Sequence, residues 1–174
     1  MRSIPRYLVV VLTLCCCVGC DQVSKSAARA FLAPGVTRSL LADSLRLQLV
    51  DNPGSFLSLG ASLPQNLRFM IFTGAVALLL LGLVCAALFA RRLDRIRFIA
   101  LTLVAGGGMS NLIDRLMFQG RVTDFLNVGL GSLRTGIFNV ADMTILAGAL
   151  LMLLKQRADR TTPGAPDAAV PPPR

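Results

Sequence analysis

The chain has 174 residues, 54% of them hydrophobic and 16% charged, with a net charge of +9 and a mean hydropathy of +0.66. That is one domain's worth of material and too few charges for a soluble domain, which carries about 25%, so the composition is that of a membrane protein. With one Tyr and no Trp, the stacking residues of a nucleic-acid platform are scarce, so the positive charge reads as Arg beside membrane spans and no nucleic-acid partner is expected.

The first apolar segment runs from about Tyr7 to Cys20 and continues, more polar, through Asp21-Gln22-Val23-Ser24-Lys25, predicting a helix over about 7–25. Its charge-free part is also the length of a signal-peptide core. Arg2 and Arg6 supply a basic start, and Cys17-Val18-Gly19-Cys20 is a loose match to a lipobox. Three further spans make an unusual body for a lipid-anchored protein, so the segment is read as an uncleaved first helix. The five Cys lie in apolar runs without a metal-ligand spacing and are expected to be buried, inert thiols. With no His in the chain, no metal and no cofactor are expected.

A long connection follows over about 30–66. Leu45, Leu47 and Leu49 alternate with Arg46 and Gln48, the period of a half-buried strand. Asp51-Asn52-Pro53-Gly54 reads as a turn before the short apolar piece Ser55-Phe56-Leu57. This connection, with a contribution from Arg121 to Arg134, predicts a small extracytoplasmic β-sheet lying on the outer membrane surface. Three more helices are predicted over about 68–90, 98–118 and 137–155, the first of them charge-free for about 22 residues. Arg91, Arg92, Arg95 and Arg97 crowd one link, and Lys155, Arg157 and Arg160 follow the last helix. Placed on the cytoplasmic side with Arg2 and Arg6, they give four transmembrane helices with an N-in/C-in topology. The fold class is a membrane all-α core forming a single domain over 1–160. The Pro- and Ala-rich residues 161–174 read as a disordered cytoplasmic tail.

The chain has no Glu, so proton-transfer chemistry rests on nine Asp. Asp114 and Asp142 sit in apolar stretches, where an ionisable group costs roughly 2.5–3.5 kcal/mol even on lenient insertion scales. With the predicted topology Asp21, Asn52, Asp114, Asp124, Asn139 and Asp142 fall in one layer near the outer face. Asn111, Asp114 and Arg115 are spaced i, i+3 and i+4, and Asn139 and Asp142 are spaced i, i+3, so each set shares a helix face. Gly106, Gly107, Gly108 and Ser110 allow close helix approach below that layer. They lack the Lys of a phosphate loop. Bland roles compete: an internal Asp114–Arg115 ion pair, a helix cap or interhelical bond for Asn139, and solvated loop charges for Asp43, Asp94, Asp159 and Asp167. Asp124 and Asp142 have no adjacent basic partner in sequence, which makes them the leading candidates for chemistry. A proton-coupled carrier is the main non-enzymatic alternative, but it calls for carboxylates at several depths.

The blocks Asp21-Gln-Val-Ser-Lys25, Asn52-Pro-Gly54-Ser-Phe56, Gly106-Gly107 with Asn111-Leu-Ile-Asp114-Arg115-Leu116, Val122-Thr-Asp124-Phe125 and Phe138-Asn139-Val-Ala141-Asp142 occur in that order. Together they resemble the lipoprotein signal peptidases, or signal peptidase II, over about residues 7 to 155. The resemblance implies an aspartic endopeptidase of the bacterial inner membrane that removes signal peptides from prolipoproteins, cutting just before the diacylglyceryl-modified Cys. It implies Asp124 and Asp142 as the catalytic pair, with Asn52, Asn111, Arg115 and Asn139 contacting or supporting substrate. Asp21 and Asp114 take a more structural role. The expected partners are diacylglyceryl-prolipoprotein substrates and membrane lipid, around a monomeric enzyme with its active site at the periplasmic leaflet. One departure is Ser110, where the family usually has Gly, which bears on close backbone packing rather than on chemistry.

Overall fold

The computed structural model describes residues 4–53, 64–90 and 93–161. Arg2, Arg91, Arg92, the apolar piece Ser55-Phe56-Leu57, Asp167 and the rest of the expected tail lie outside the described residues. In chain order the elements are α1 (Arg6–Phe31), β1 (Arg38–Leu40), β2 (Leu45–Asn52), α2 (Gln65–Phe89), α3 (Arg95–Met117), β3 (Val122–Leu130), β4 (Leu133–Arg134) and α4 (Val140–Thr161). This is a helical core with one small antiparallel sheet in the order β1-β2-β3-β4. Helices α1, the Phe69–Phe89 part of α2, and α3 are each long and apolar enough to cross a membrane.

Three consecutive glycines explain how the helices pack around α3. Successive residues on a helix point about 100° apart, so Gly106, Gly107 and Gly108 each face a different neighbour. A Cβ on Gly106 would meet Cys17 of α1 at 2.7 Å, and one on Gly107 would meet the Ala141 carbonyl of α4 at 2.5 Å. One on Gly108 would run into Leu80 of α2. The run that looked like a single packing feature is the point where α1, α2 and α4 all close on α3.

At one end of the bundle, polar contacts tie the helix termini together. The Arg6 guanidinium donates to the carbonyls of Ala90 (2.9 Å) and Leu93 (3.1 Å), just past the end of α2. Asp94 caps α3 by accepting the Arg97 N–H at 3.0 Å, and Arg97 pairs with Asp159 of α4 at 2.6 Å. Asp159 also pairs with Lys155. These contacts correct the expectation that Asp94 and Asp159 are plain loop charges. They also account for α4 running six residues past its expected end, since Asp159 is held within the helix rather than after it.

Other boundaries shift for local reasons. Helix α1 continues to Phe31, so Asp21 lies within it and does not close it. Asp51 and Asn52 are the last residues of β2 rather than a turn, because they pair with Thr123 and Val122 of β3. Between Leu47 and Val50 the register shifts by one extra residue in β2. Such a bulge turns the strand end and re-aims the side chains beyond it. The thiols are not buried as expected: Cys15, Cys16, Cys20 and Cys85 face outward and Cys17 is half-buried, all five free. In helices of this apolar character, the outward face is where sequence hydrophobicity gives no warning of exposure. Beneath the sheet, Ala28 and Leu32 pack with Phe125, flanked by Leu47, Leu49, Leu126 and Val140.

Candidate active site

The chain leaves α3 through a tight reversal. Phe118 ends the helix, Gln119 and Gly120 take positive φ (54° and 88°), and the Gly120 N–H returns to the Arg115 carbonyl at 2.7 Å. This folds β3 back over the end of α3, and the Thr123 N–H reaches the Asp114 carboxylate at 3.1 Å. Asp124, one residue on, is 2% exposed. Leu126 and Phe138 then exchange backbone hydrogen bonds at 2.8 Å in both directions. That bridge brings the start of α4 against β3, which is why α4 begins at Val140 rather than at 137.

Asn139 and Asp142 close a reciprocal cap on α4. The Asn139 Oδ1 accepts the Asp142 N–H at 2.9 Å, and the Asp142 Oδ2 accepts the Asn139 N–H at 3.2 Å. With its oxygen committed to the cap, the Asn139 amide must turn its Nδ2 outward from the helix. There it donates to Asp124 Oδ1 at 2.6 Å, with Asn111 Oδ1 at 3.2 Å. Both alternatives for Asn139, cap and interhelical bond, therefore hold at once.

The other oxygen of Asp124 accepts from Asn52 Nδ2 at 2.9 Å. Asn52 pairs with Val122 across the sheet, so Asp124 is its diagonal neighbour and lies within side-chain reach. Asn111 Nδ2 donates to Asp142 Oδ1 at 2.9 Å. Asp124 and Asp142 are thus joined through two amides, Asn139 and Asn111, each presenting its N–H to a carboxylate. Burial pushes the Asp124 carboxyl up to about 6, and the neighbouring Asp142 charge adds to the rise. The Asn52 and Asn139 donors and the Lys25 charge oppose it. Arg115 donates to the Asn111 carbonyl at 3.3 Å on the same face.

Behind these groups sits a buried charge cluster. Lys25 Nζ makes ion pairs with Asp21 at 2.6 Å and with Asp114 at 3.0 Å, and all three side chains are 0% exposed. Asp114 thus pairs with Lys25 of another helix rather than with the Arg115 partner considered from sequence. Asp21 also accepts from the Ser110 hydroxyl (2.7 Å) and the Ala141 N–H (2.8 Å), and Asp114 from Gln22 (2.8 Å). Lys25 and Gln22 were not singled out by their own chemistry, although the i, i+4 spacing of Asp21 and Lys25 was a usable signal. The eight residues predicted for the site, Asp21, Asn52, Asn111, Asp114, Arg115, Asp124, Asn139 and Asp142, belong to this one linked assembly.

A family model described as signal peptidase (SPase) II matches residues 13–157. The chain belongs to the signal peptidase II family. It is therefore a membrane peptidase. A lipoprotein signal peptidase of Mycobacterium leprae is 31% identical over 161 residues, covering 88% of this chain and 71% of that protein. One from Polynucleobacter necessarius subsp. necessarius is 32% identical over 157 residues, covering 87% and 88% respectively. A solved bacterial membrane enzyme, determined by the in meso method at 2.3 Å, superimposes with a TM-score of 0.76 at 22% identity, covering 97% of this chain and 99% of that one. That likeness shows the fold alone: a helical core carrying a small sheet.

Proposed function

We propose that this peptidase removes signal peptides from bacterial prolipoproteins, cutting on the N-terminal side of the diacylglyceryl-modified Cys by an Asp124–Asp142 dyad. The observation that carries the reading is the two-amide linkage of two carboxylates from separate elements, in a chain without His or Glu. Two neighbouring carboxylates resist ionising together, so one keeps a proton while the other acts as base. The ionised Asp takes a proton from a water, which attacks the scissile carbonyl. The protonated Asp hydrogen-bonds the carbonyl oxygen as negative charge develops there, then supplies a proton to the leaving amine as the C–N bond breaks. Asn52, Asn111, Asn139 and Arg115 hold the carboxylates and the peptide backbone in register, and their hydrogen bonds gain strength away from water.

In this reading all four helices span the inner membrane with both termini in the cytoplasm, and residues 1–160 act as a single monomeric domain ahead of a cytoplasmic tail. The linked Arg6, Arg97, Lys155 and Asp159 end supports that placement as the cytoplasmic end. The sheet and the dyad then lie at the periplasmic leaflet, the depth at which a diacylated Cys is anchored. The test is hydrolysis of a lipidated precursor by purified Asp124→Asn and Asp142→Asn variants. Each is expected to lose turnover by about 10²–10⁴-fold, the usual range for a general acid or base. Near wild-type turnover in either variant removes that residue from the dyad.

A further inference from the structure

Lys25 is a fully buried cation whose three N–H bonds are all used. Two go to Asp21 and Asp114, and the third goes to Asn111 Oδ1 at 2.9 Å. An ammonium can only donate, so only the oxygen side of the Asn111 amide can face it. Asn139 Nδ2, also a donor, occupies the remaining acceptor position of that oxygen at 3.2 Å. Turning the amide over would set N–H groups against Lys25 and Asn139 and the oxygen against the Asp142 carboxylate. Both mismatches are costly where no water intervenes.

We propose that Lys25 is a positioning residue for the peptidase reaction: by filling the oxygen side of the Asn111 amide it holds the Nδ2 donor against Asp142. The inference rests on the dyad reading, because a fixed donor on Asp142 matters to turnover only if Asp142 takes part in it. Asp142 is held by this donor on one oxygen and by the Asn139 N–H on the other. Without Lys25, the first of these holds is free to invert, while the cap that supplies the second remains. The expected defect is in the chemical step rather than in substrate affinity.

The test is a double-mutant cycle on the purified full-length protein, with Lys25→Met, Asn111→Leu and both together, hydrolysing a lipidated peptide. Lys25→Met is expected to lower kcat about a hundredfold with KM within about twofold. Adding it to Asn111→Leu is expected to cost less than about threefold more, because the group it acts through is already gone. Where Lys25→Met does not fold, the same cycle is run in an Asp21→Asn background, which leaves Asp114 as the sole buried carboxylate beside the Met. Multiplicative losses, or a Lys25→Met enzyme with wild-type kcat and only a lower unfolding temperature, overturn the positioning role. Asp142→Asn, measured alongside, separates the two claims. If that variant is inactive and the losses multiply, only the role of Lys25 falls. If it turns over normally, the dyad falls and the positioning role falls with it.

Discussion

Asp21 holds the backbone N–H of Ala141, the residue before Asp142, at 2.8 Å. Asp114 does the same for Thr123, the residue before Asp124, at 3.1 Å. Lys25 bridges the two anchors, so one buried ion cluster fixes the backbone beside both candidate catalytic carboxylates. Its charge balance sets a stability order. Lys25→Met leaves two buried carboxylates facing each other and is expected to cost about 3–5 kcal/mol, the usual result of stranding a buried charge. Asp21→Asn and Asp114→Asn each leave a neutral pair and are expected to cost less. The double variant Lys25→Met/Asp21→Asn is expected to unfold at a higher temperature than Lys25→Met alone in thermal melts in detergent.

The three glycines of α3 differ in what an added methyl would meet, which makes them separable. On Gly107 it would lie 2.5 Å from the Ala141 carbonyl and 2.8 Å from Ile145, both on α4 next to Asp142. The backbone of α4 has to move to admit it. Gly107→Ala is expected to cost about 1–3 kcal/mol as overpacking. Activity is expected to fall on the order of 10²-fold, since a shift near 1 Å at a catalytic group is that expensive. Gly108→Ala meets only the end of the Leu80 side chain, which can change rotamer, and is expected to keep most activity. Turnover and melting temperature of the two variants, measured side by side, check the contrast.

Much of this arrangement was legible in the chain, for physical reasons. Long apolar runs announce helices, and the Leu45-Leu47-Leu49 alternation announced β2. The helical spacings of Asn111 with Asp114 and Asn139 with Asp142 put the polar groups on shared faces before any contact was known. What the sequence hid were choices between equally plausible partners. Asp114 has Arg115 beside it in sequence, yet the two are consecutive on a helix and point apart, and Lys25 from another helix takes the pair. The Asp51-Asn52-Pro53-Gly54 signal is that of a turn, but pairing with β3 draws its first two residues into the strand. Outward-facing Cys in α1 carry no polarity signal at all, because lipid-facing and protein-facing positions are equally apolar.

The Ser110 hydroxyl is integrated into the buried cluster. It donates to Asp21 Oδ2 at 2.7 Å and accepts from Gln22 Nε2 at 3.0 Å, with the residue 0% exposed. Ser110→Ala removes a hydrogen bond to a charged group, which is worth about 1.5–3 kcal/mol. Asp21 keeps Lys25 and Ala141, and Gln22 keeps Asp114, so the site geometry is expected to survive. The expected outcome is a lower melting temperature with turnover within a few-fold of wild type. A loss of turnover comparable to Asp142→Asn would move Ser110 from the supporting cluster into the reaction.

The Asp124 carboxyl titrates at about 6 instead of 3.8, driven first by burial and then by the charge of Asp142. The sign follows directly. Asp124 keeps its proton in the folded protein up to about pH 6, so it favours folding below about pH 4 and that contribution is lost as pH rises through about 6. In the proposed dyad, the single shared proton is lost over the same rise. We expect kcat/KM, which reports the free enzyme, to fall as pH passes upward through about 6. Asn52 donates to the ionised form of Asp124 at 2.9 Å and so pulls in the opposite direction. Asn52→Leu removes that donor and is expected to move the falling limb to higher pH. A pH profile of kcat/KM for the wild type and this variant decides it, and a limb that stays in place or moves down assigns the titration to a group other than Asp124.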